Sequence, residues 1–99
     1  MPENKEERPI DLLEIRREID SLNQQLIEVV AKRMALIPGV ARYKIENNLE
    51  RFDPKREKQI LEACRAMATE QGVNPDLAEN IMKLLIDDAH RIEREMLGK

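Results

Sequence analysis

Residues 12–45 read LLEIRREIDSLNQQLIEVVAKRMALIPGVARYKI. Within them Leu12, Ile15, Ile19, Leu22, Leu26, Val29, Arg33, Leu36, Val40 and Lys44 follow one another in steps of three and four. That spacing puts every member on one face of a helix. Arg33 and Lys44 therefore stand where an apolar stripe should face a core. A buried charge is costly unless it is paired or meets a ligand, and the stripe itself offers no acidic partner. The pattern points to a pocket for something anionic.

Asp11 is placed to cap this helix, with Glu14 as the reciprocal partner of a capping box. A helix from Leu12 to Ile45 is ~50 Å long at 1.5 Å per residue. A compact chain of 99 residues has a radius of gyration near ~13 Å. The protruding seam needs a partner, and a second copy of the chain is the simplest, so the expectation is a homodimer. Pro38-Gly39 interrupts the stretch, and proline removes a bond to the carbonyl of Met34. The stripe continues in phase through Val40 and Lys44, which favours a kink over a break.

Outward from this stretch, Glu46 to Phe52 lacks periodicity and reads as a loop. Asp53-Pro54 is a helix start, an N-cap followed by proline at the first helical position. The second helix carries Ile60, Leu61, Cys64, Met67 and Ala68 and stops at Gly72. Asn74-Pro75 repeats the start signal. The third carries Leu77, Ile81, Leu84, Leu85, Ile86, Ala89, Ile92 and Met96 and ends near Gly98. The expected fold is all-α, with three helices, the first very long and kinked near Pro38, in an intertwined homodimeric bundle. Residues 1–99 form one domain, with 1–10 a flexible N-terminus.

Composition agrees: 41% of residues are hydrophobic and 37% charged, with one Phe, one Tyr and no Trp, as in helical bundles. The net charge of -3 argues against a nucleic-acid binder and for a local basic pocket that takes a small anion. The lone Cys64 cannot form an internal disulfide and reads as a small core or half-buried thiol. No apolar run reaches the roughly 20 residues of a membrane span, and the polar start MPENKEERP is no signal peptide. The expected compartment is the cytoplasm.

Arg33 and Lys44 are eleven residues apart, three turns, so they can converge on one ligand across ~16 Å. Arg16 lies ~25 Å from Arg33 and about 100° around the helix. It is out of phase with that pocket, but within reach of the pocket of an antiparallel partner. The succession Leu-Leu-x-x-Arg16, Ile19-Asp20-x-Leu22, Leu26, Arg33, Val40-Ala41-x-x-Lys44, then Asp53-x-x-Arg56-Glu57, resembles the all-helical chorismate mutases of bacterial and archaeal type. The resemblance covers roughly residues 11 to 97. It implies three helices in an interlocked dimer, with two sites that each borrow an arginine from the partner. It implies a Claisen rearrangement of chorismate to prephenate, a step toward Phe and Tyr, with no cofactor, metal or covalent intermediate. Cations then clamp two carboxylates while donors meet the charge that builds on the ether oxygen. By resemblance Arg33 and the partner's Arg16 hold the carboxylates. Lys44 meets the ring carboxylate and the ether oxygen, and Glu57 accepts the ring hydroxyl. Arg56 sits at the pocket edge, and the Asp53 backbone adds a contact to the hydroxyl.

Two positions depart from the bacterial pattern. Ala89 stands where a serine is usual, which removes one hydroxyl contact. Glu93 stands where a glutamine is usual. An ionised carboxylate would repel the developing oxyanion, so Glu93 must carry a proton to serve as a donor. Fungal relatives also use glutamate here. The Ala41-Arg42-Tyr43-Lys44 string resembles enzymes that rearrange 4-amino-4-deoxychorismate, and another relative cleaves isochorismate to salicylate and pyruvate.

Plainer readings compete. Arg16, Arg56 and Glu57 would serve equally as solvated helix charges, and Arg33 and Lys44 as snorkelling cations. Glu93 would serve as a surface partner of Arg94, and Asp53 as a cap alone. His90 has no evident second ligand and reads as an ordinary helix residue. Arg51 and Phe52 have no assigned role beyond Phe52 packing the loop down. The chain as a whole could be a non-catalytic dimerisation module, but such a module has no reason to place basic residues at core positions. Truncating Arg33 or Lys44 is expected to cut turnover and to leave stability level or higher.

Overall fold

A computed structural model describes residues 9–97. The expected end of the last helix at Gly98, and most of the expected N-terminal arm, lie outside the described residues. Those described are all-α: α1 (Leu12–Ala35), α2 (Ile37–Glu46), α3 (Pro54–Glu70) and α4 (Pro75–Leu97). No helix among them is long and apolar enough to cross a membrane. They divide into two compact units, one ending at Arg33 and the other beginning at Met34.

The first unit is most of α1. Its start is held by the Asp11 half of the expected capping box, with the Glu14 N–H donating to Asp11 Oδ1 at 3.2 Å; the reciprocal bond from the Asp11 N–H to the Glu14 side chain is not formed. None of the residues of α1 is buried. The seam is uncovered: Leu22 is 60% exposed, Leu26 55% and Val29 60%.

The second unit holds α2, α3 and α4, with α4 packed against both of the others. The helix expected to run through Pro38 is divided at Leu36. Leu36 keeps right-handed helical dihedrals, φ -84° and ψ -18°. Pro38 carries no N–H and cannot close a bond to the Met34 carbonyl, so the interruption is a loss of ladder bonds at a backbone that stays helical. The ladder resumes with Val40 N–H to the Leu36 carbonyl at 3.3 Å.

Both connections of this unit turn on a residue with positive φ. At the end of α2, Asn48 has φ 55°. The Leu49 N–H bonds the Lys44 carbonyl at 2.8 Å and the Asn48 N–H bonds the Ile45 carbonyl at 3.3 Å. At the end of α3, Gly72 has φ 73°. Val73 N–H meets the Ala68 carbonyl at 2.8 Å and Gly72 N–H the Thr69 carbonyl at 3.2 Å. Both are Schellman caps, which need a left-handed residue at this place. Asn and Gly tolerate it best. A Cβ on Gly72 would meet nothing within 4 Å, so Gly72→Ala is expected to cost only the backbone strain, about 1 kcal/mol, as a lower urea midpoint with an unchanged m-value. An unchanged midpoint would mean that this cap does not persist in solution.

The starts of α3 and α4 follow their Asx-Pro signals. Asp53 Oδ1 accepts from the Arg56 N–H at 3.1 Å, and Asn74 Oδ1 from the Asp76 N–H at 2.8 Å. Arg65 ties α3 to α4 through Asp76 and Glu79, both at 2.9 Å. Hydrogen bonds from Lys83 and Arg65 hold the Glu79 carboxyl below the usual range. The buried side chains are few: Ala41, Ala68 and Ile86, together with one charged residue, Glu93. Leu84 at 70% and Leu77 at 52% exposure depart from the expected inward face of α4, because the described unit supplies nothing to cover them.

Candidate functional site

Glu93 is the point around which the second unit's polar groups gather. It sits in the penultimate turn of α4, one turn beyond the half-buried Ala89, and is 4% exposed. It faces inward, and the surface pairing with Arg94 is not formed. Its partner is Lys44 from α2, whose Nζ donates to Glu93 Oε2 at 3.3 Å. The same ammonium donates to the Arg51 carbonyl at 2.6 Å. Lys44 thus has the acidic partner that its own stripe lacks, 49 residues away in sequence. The expectation that its removal leaves stability unharmed is corrected accordingly, since truncation would strand a buried carboxyl.

These bonds use two of the three ammonium protons. On the acid, Oε1 is buried and has no hydrogen-bond partner among the described residues. His90 Nδ1 lies 3.8 Å from it, beyond hydrogen-bond reach. A buried unpaired oxygen costs about 1–3 kcal/mol, and such an atom in a native fold asks for an explanation. Glu93 and Lys44 line a cavity of about 220 Å³ with Ala41, Ile45, Asn48, Leu49, Arg51 and Leu97. Lys44 and Leu49 also line a broader hollow of about 540 Å³, with Val40, Tyr43 and Asp53 among its walls. Lys44 is common to both spaces, so its free N–H has solvent-accessible room for a ligand.

Why Lys44 reaches this place is local. Its carbonyl accepts from the Leu49 N–H in the cap of α2, and its ammonium donates to the Arg51 carbonyl three residues after the left-handed Asn48. One residue therefore binds both ends of the loop that leads to Asp53. Asp53 Oδ1 accepts the cap bond of α3, and the residue also lines the broader hollow. Arg56 is exposed on the first turn of α3, and Glu57 beside it is half-buried.

Glu57 is joined to Glu93 by residues that the sequence reading passed over. His90 Nε2 lies 2.7 Å from Glu57 Oε2, and His90 Nδ1 lies 3.0 Å from Arg51 Nη1. Phe52 packs on the imidazole with ring centroids 4.5 Å apart, and the Arg51 guanidinium covers the Phe52 ring at 4.3 Å. His90 is no ordinary surface residue of α4, and Arg51 contributes through both backbone and side chain. The only hint in the sequence was register: His90 precedes Glu93 by three positions and shares its face.

The second unit thus brings together Lys44, Glu93, Glu57 and Asp53, with Ala89 on the same helix as Glu93. Arg16 and Arg33 belong to the first unit. There Arg16 is exposed and Arg33 half-buried.

These are features of a small all-helical scaffold that sets cations and one buried acid around open cavities. Residues 15–94 match the chorismate mutase type II family, and the chain belongs to that family. It is similar to the T-protein of Haemophilus influenzae, 33% identical over 84 residues, which is 85% of this chain and 22% of that protein. It is similar to the chorismate mutase of Methanocaldococcus jannaschii, 29% identical over 86 residues and 87% of both chains. It is also similar to the 4-amino-4-deoxychorismate mutase of Streptomyces venezuelae, 25% identical over 89 residues, 90% of this chain and 86% of that protein. The chain spans less than a quarter of the length of the T-proteins and the bifunctional relative that it matches.

Proposed function

We propose that this chain rearranges chorismate to prephenate. The observation that carries the reading is the pairing at one cavity of a cation with a spare N–H, Lys44, and a buried acid with an unpaired oxygen, Glu93. In the rearrangement the ether C–O bond breaks as a C–C bond forms, and negative charge grows on the ether oxygen. A fixed ammonium and a protonated carboxyl are donors that gain strength as that charge grows, which is what lowers a barrier. Arg33 and a partner chain's Arg16 are assigned the two substrate carboxylates, for which guanidinium forks are suited. Glu57 and the Asp53 backbone are assigned the ring hydroxyl, with Arg56 at the edge. Only positioning and electrostatics are required, and the groups named supply both.

The partner is proposed to be a second copy. The uncovered seam of α1 supports it, and so, separately, do the exposed Leu77 and Leu84 of α4, because exposed apolar side chains repeated along a helix ask for cover. Chains carrying Arg16→Ala and chains carrying Arg33→Ala are each expected to be inactive. After subunit exchange their mixture should regain about one working site per heterodimer. Heterodimers that form and stay inactive would remove the shared-site arrangement.

A second reading, 4-amino-4-deoxychorismate as substrate, is favoured by the acid at Glu93 and by the Streptomyces relative. Chorismate, its 4-amino analogue and isochorismate, offered separately with product identification, decide among the three. Loss of chorismate absorbance with prephenate as product is the expected result. No turnover of any of them would leave a helical dimerisation module as the better account. Cytoplasmic placement is part of the same proposal, since the substrate is a small metabolite.

A further inference from the structure

His90 and Glu57 form the shortest side-chain contact between α3 and α4 in this unit, and the mechanism above leaves His90 without a task. Its environment fixes its tautomer. Arginine donates and cannot accept, so at 3.0 Å from Arg51 Nη1 the Nδ1 atom is the acceptor. The single proton of the neutral ring then sits on Nε2 and donates to Glu57 Oε2 at 2.7 Å. The ring is held on its face by Phe52 at 4.5 Å. His90 is mostly buried, its side chain 12% exposed, whereas Glu57 is 32% exposed. One oxygen of Glu57 is therefore committed to a rigid donor, and Oε1 is left for a ligand.

We propose that His90 is a positioning residue for Glu57: its Nε2–H fixes Oε2 so that Oε1 is aimed at the ring hydroxyl of the substrate. This rests on the assignment of that hydroxyl to Glu57 under the proposed function. The carboxylate of a half-exposed glutamate otherwise samples several rotamers, and each one that must be frozen on binding weakens affinity. Arg51 and Phe52 extend the support, because they lock the imidazole that locks the carboxylate. The charged and titratable groups that face His90 are Glu57 from α3, Arg51 from the loop, and Glu93 on its own helix at 3.8 Å. Lys44 from α2 stands behind Glu93.

The test is a cycle of steady-state kinetics on the full chain with chorismate. His90→Leu keeps an apolar side chain on the helix and removes the donor. It is expected to raise KM about tenfold, the loss of one charge-assisted hydrogen bond, with kcat within about twofold. His90→Gln restores an N–H at the place of Nε2 and should recover most of the KM. In a Glu57→Ala background, assayed at raised enzyme concentration, His90→Leu should have no further effect. Equal losses in both backgrounds, an unmoved KM, or failure of glutamine to rescue would overturn the proposal. A readout without turnover keeps it separate from the proposed reaction. Imidazole ¹⁵N shifts of the wild type should report the Nε2–H tautomer, and the Nε2–H resonance should move in Glu57→Ala. A wild type inert on chorismate sinks the proposed reaction, and an Nδ1–H tautomer sinks the role of His90.

Discussion

Lys44→Ala is expected to lower turnover by about 10²–10³-fold, the usual loss on removing one preorganised donor to a developing oxyanion. It is also expected to lower stability. Lys44 is the partner of the buried Glu93 at 3.3 Å and the anchor of the Arg51 carbonyl at 2.6 Å. Its truncation leaves the acid without its cation and frees the loop that ends in Asp53. The stability loss should be about 1–3 kcal/mol, less than for a fully buried pair, because the ammonium retains access to water. The two effects separate in the double variant Lys44→Ala, Glu93→Gln. Glutamine at position 93 replaces the stranded carboxyl with an amide that is neutral at every pH, so the urea midpoint should recover much of its loss while turnover stays low. The two single changes are coupled and will not add. Wild-type turnover in Lys44→Ala would mean that the ammonium serves the fold alone. A double variant no more stable than Lys44→Ala would mean that the stranded acid was not the cause.

This pair marks the limit of what could be read from the chain. Local signals were legible wherever the chemistry is local. Asp11, Asp53 and Asn74 cap where their side chains can reach a nearby backbone N–H. Gly72 ends α3 because only a residue at ease with positive φ completes that cap. Asn48 does the same for α2, but its Asn-Asn-Leu context carries no signal beyond that of a loop. Pro38 was read as a disturbance of the ladder, and the disturbance is a single residue wide at Leu36. Arg33 and Lys44 stood out because charge on an apolar stripe contradicts the period around it. The contacts that give such residues their partners are another matter. Glu93 meets Lys44 across 49 positions and His90 meets Glu57 across 33. No periodicity within one helix encodes which face of another helix will lie opposite. That is why Lys44 seemed unpaired and His90 seemed idle.

Glu93→Gln is expected to change the pH dependence of the reaction more than its best rate. The carboxyl is 4% exposed. Oε2 accepts from Lys44, and Oε1 has no partner among the described residues. An acid in that position aids the ether oxygen only while it carries a proton, and as a carboxylate it opposes the charge that grows there. Turnover of the wild type should therefore fall as pH rises and the proton is lost. Glutamine keeps the shape and divides the two tasks permanently. Its carbonyl can take the Lys44 donor where Oε2 now does, and its amide N–H₂ can occupy the position of the unpaired Oε1. A fixed donor should flatten the alkaline decline and hold turnover near neutrality. Glu93→Ala, with neither donor nor acceptor, should be about 10²-fold slower at every pH. The measurement is turnover of the three proteins across the range from about pH 4 to about pH 9, with saturation checked at each point. A Glu93→Gln profile that keeps the wild-type slope would place the responsible proton elsewhere and detach Glu93 from the ether oxygen. A flattened profile would give the buried, unpaired oxygen its explanation: it is the atom through which the acid meets the breaking bond.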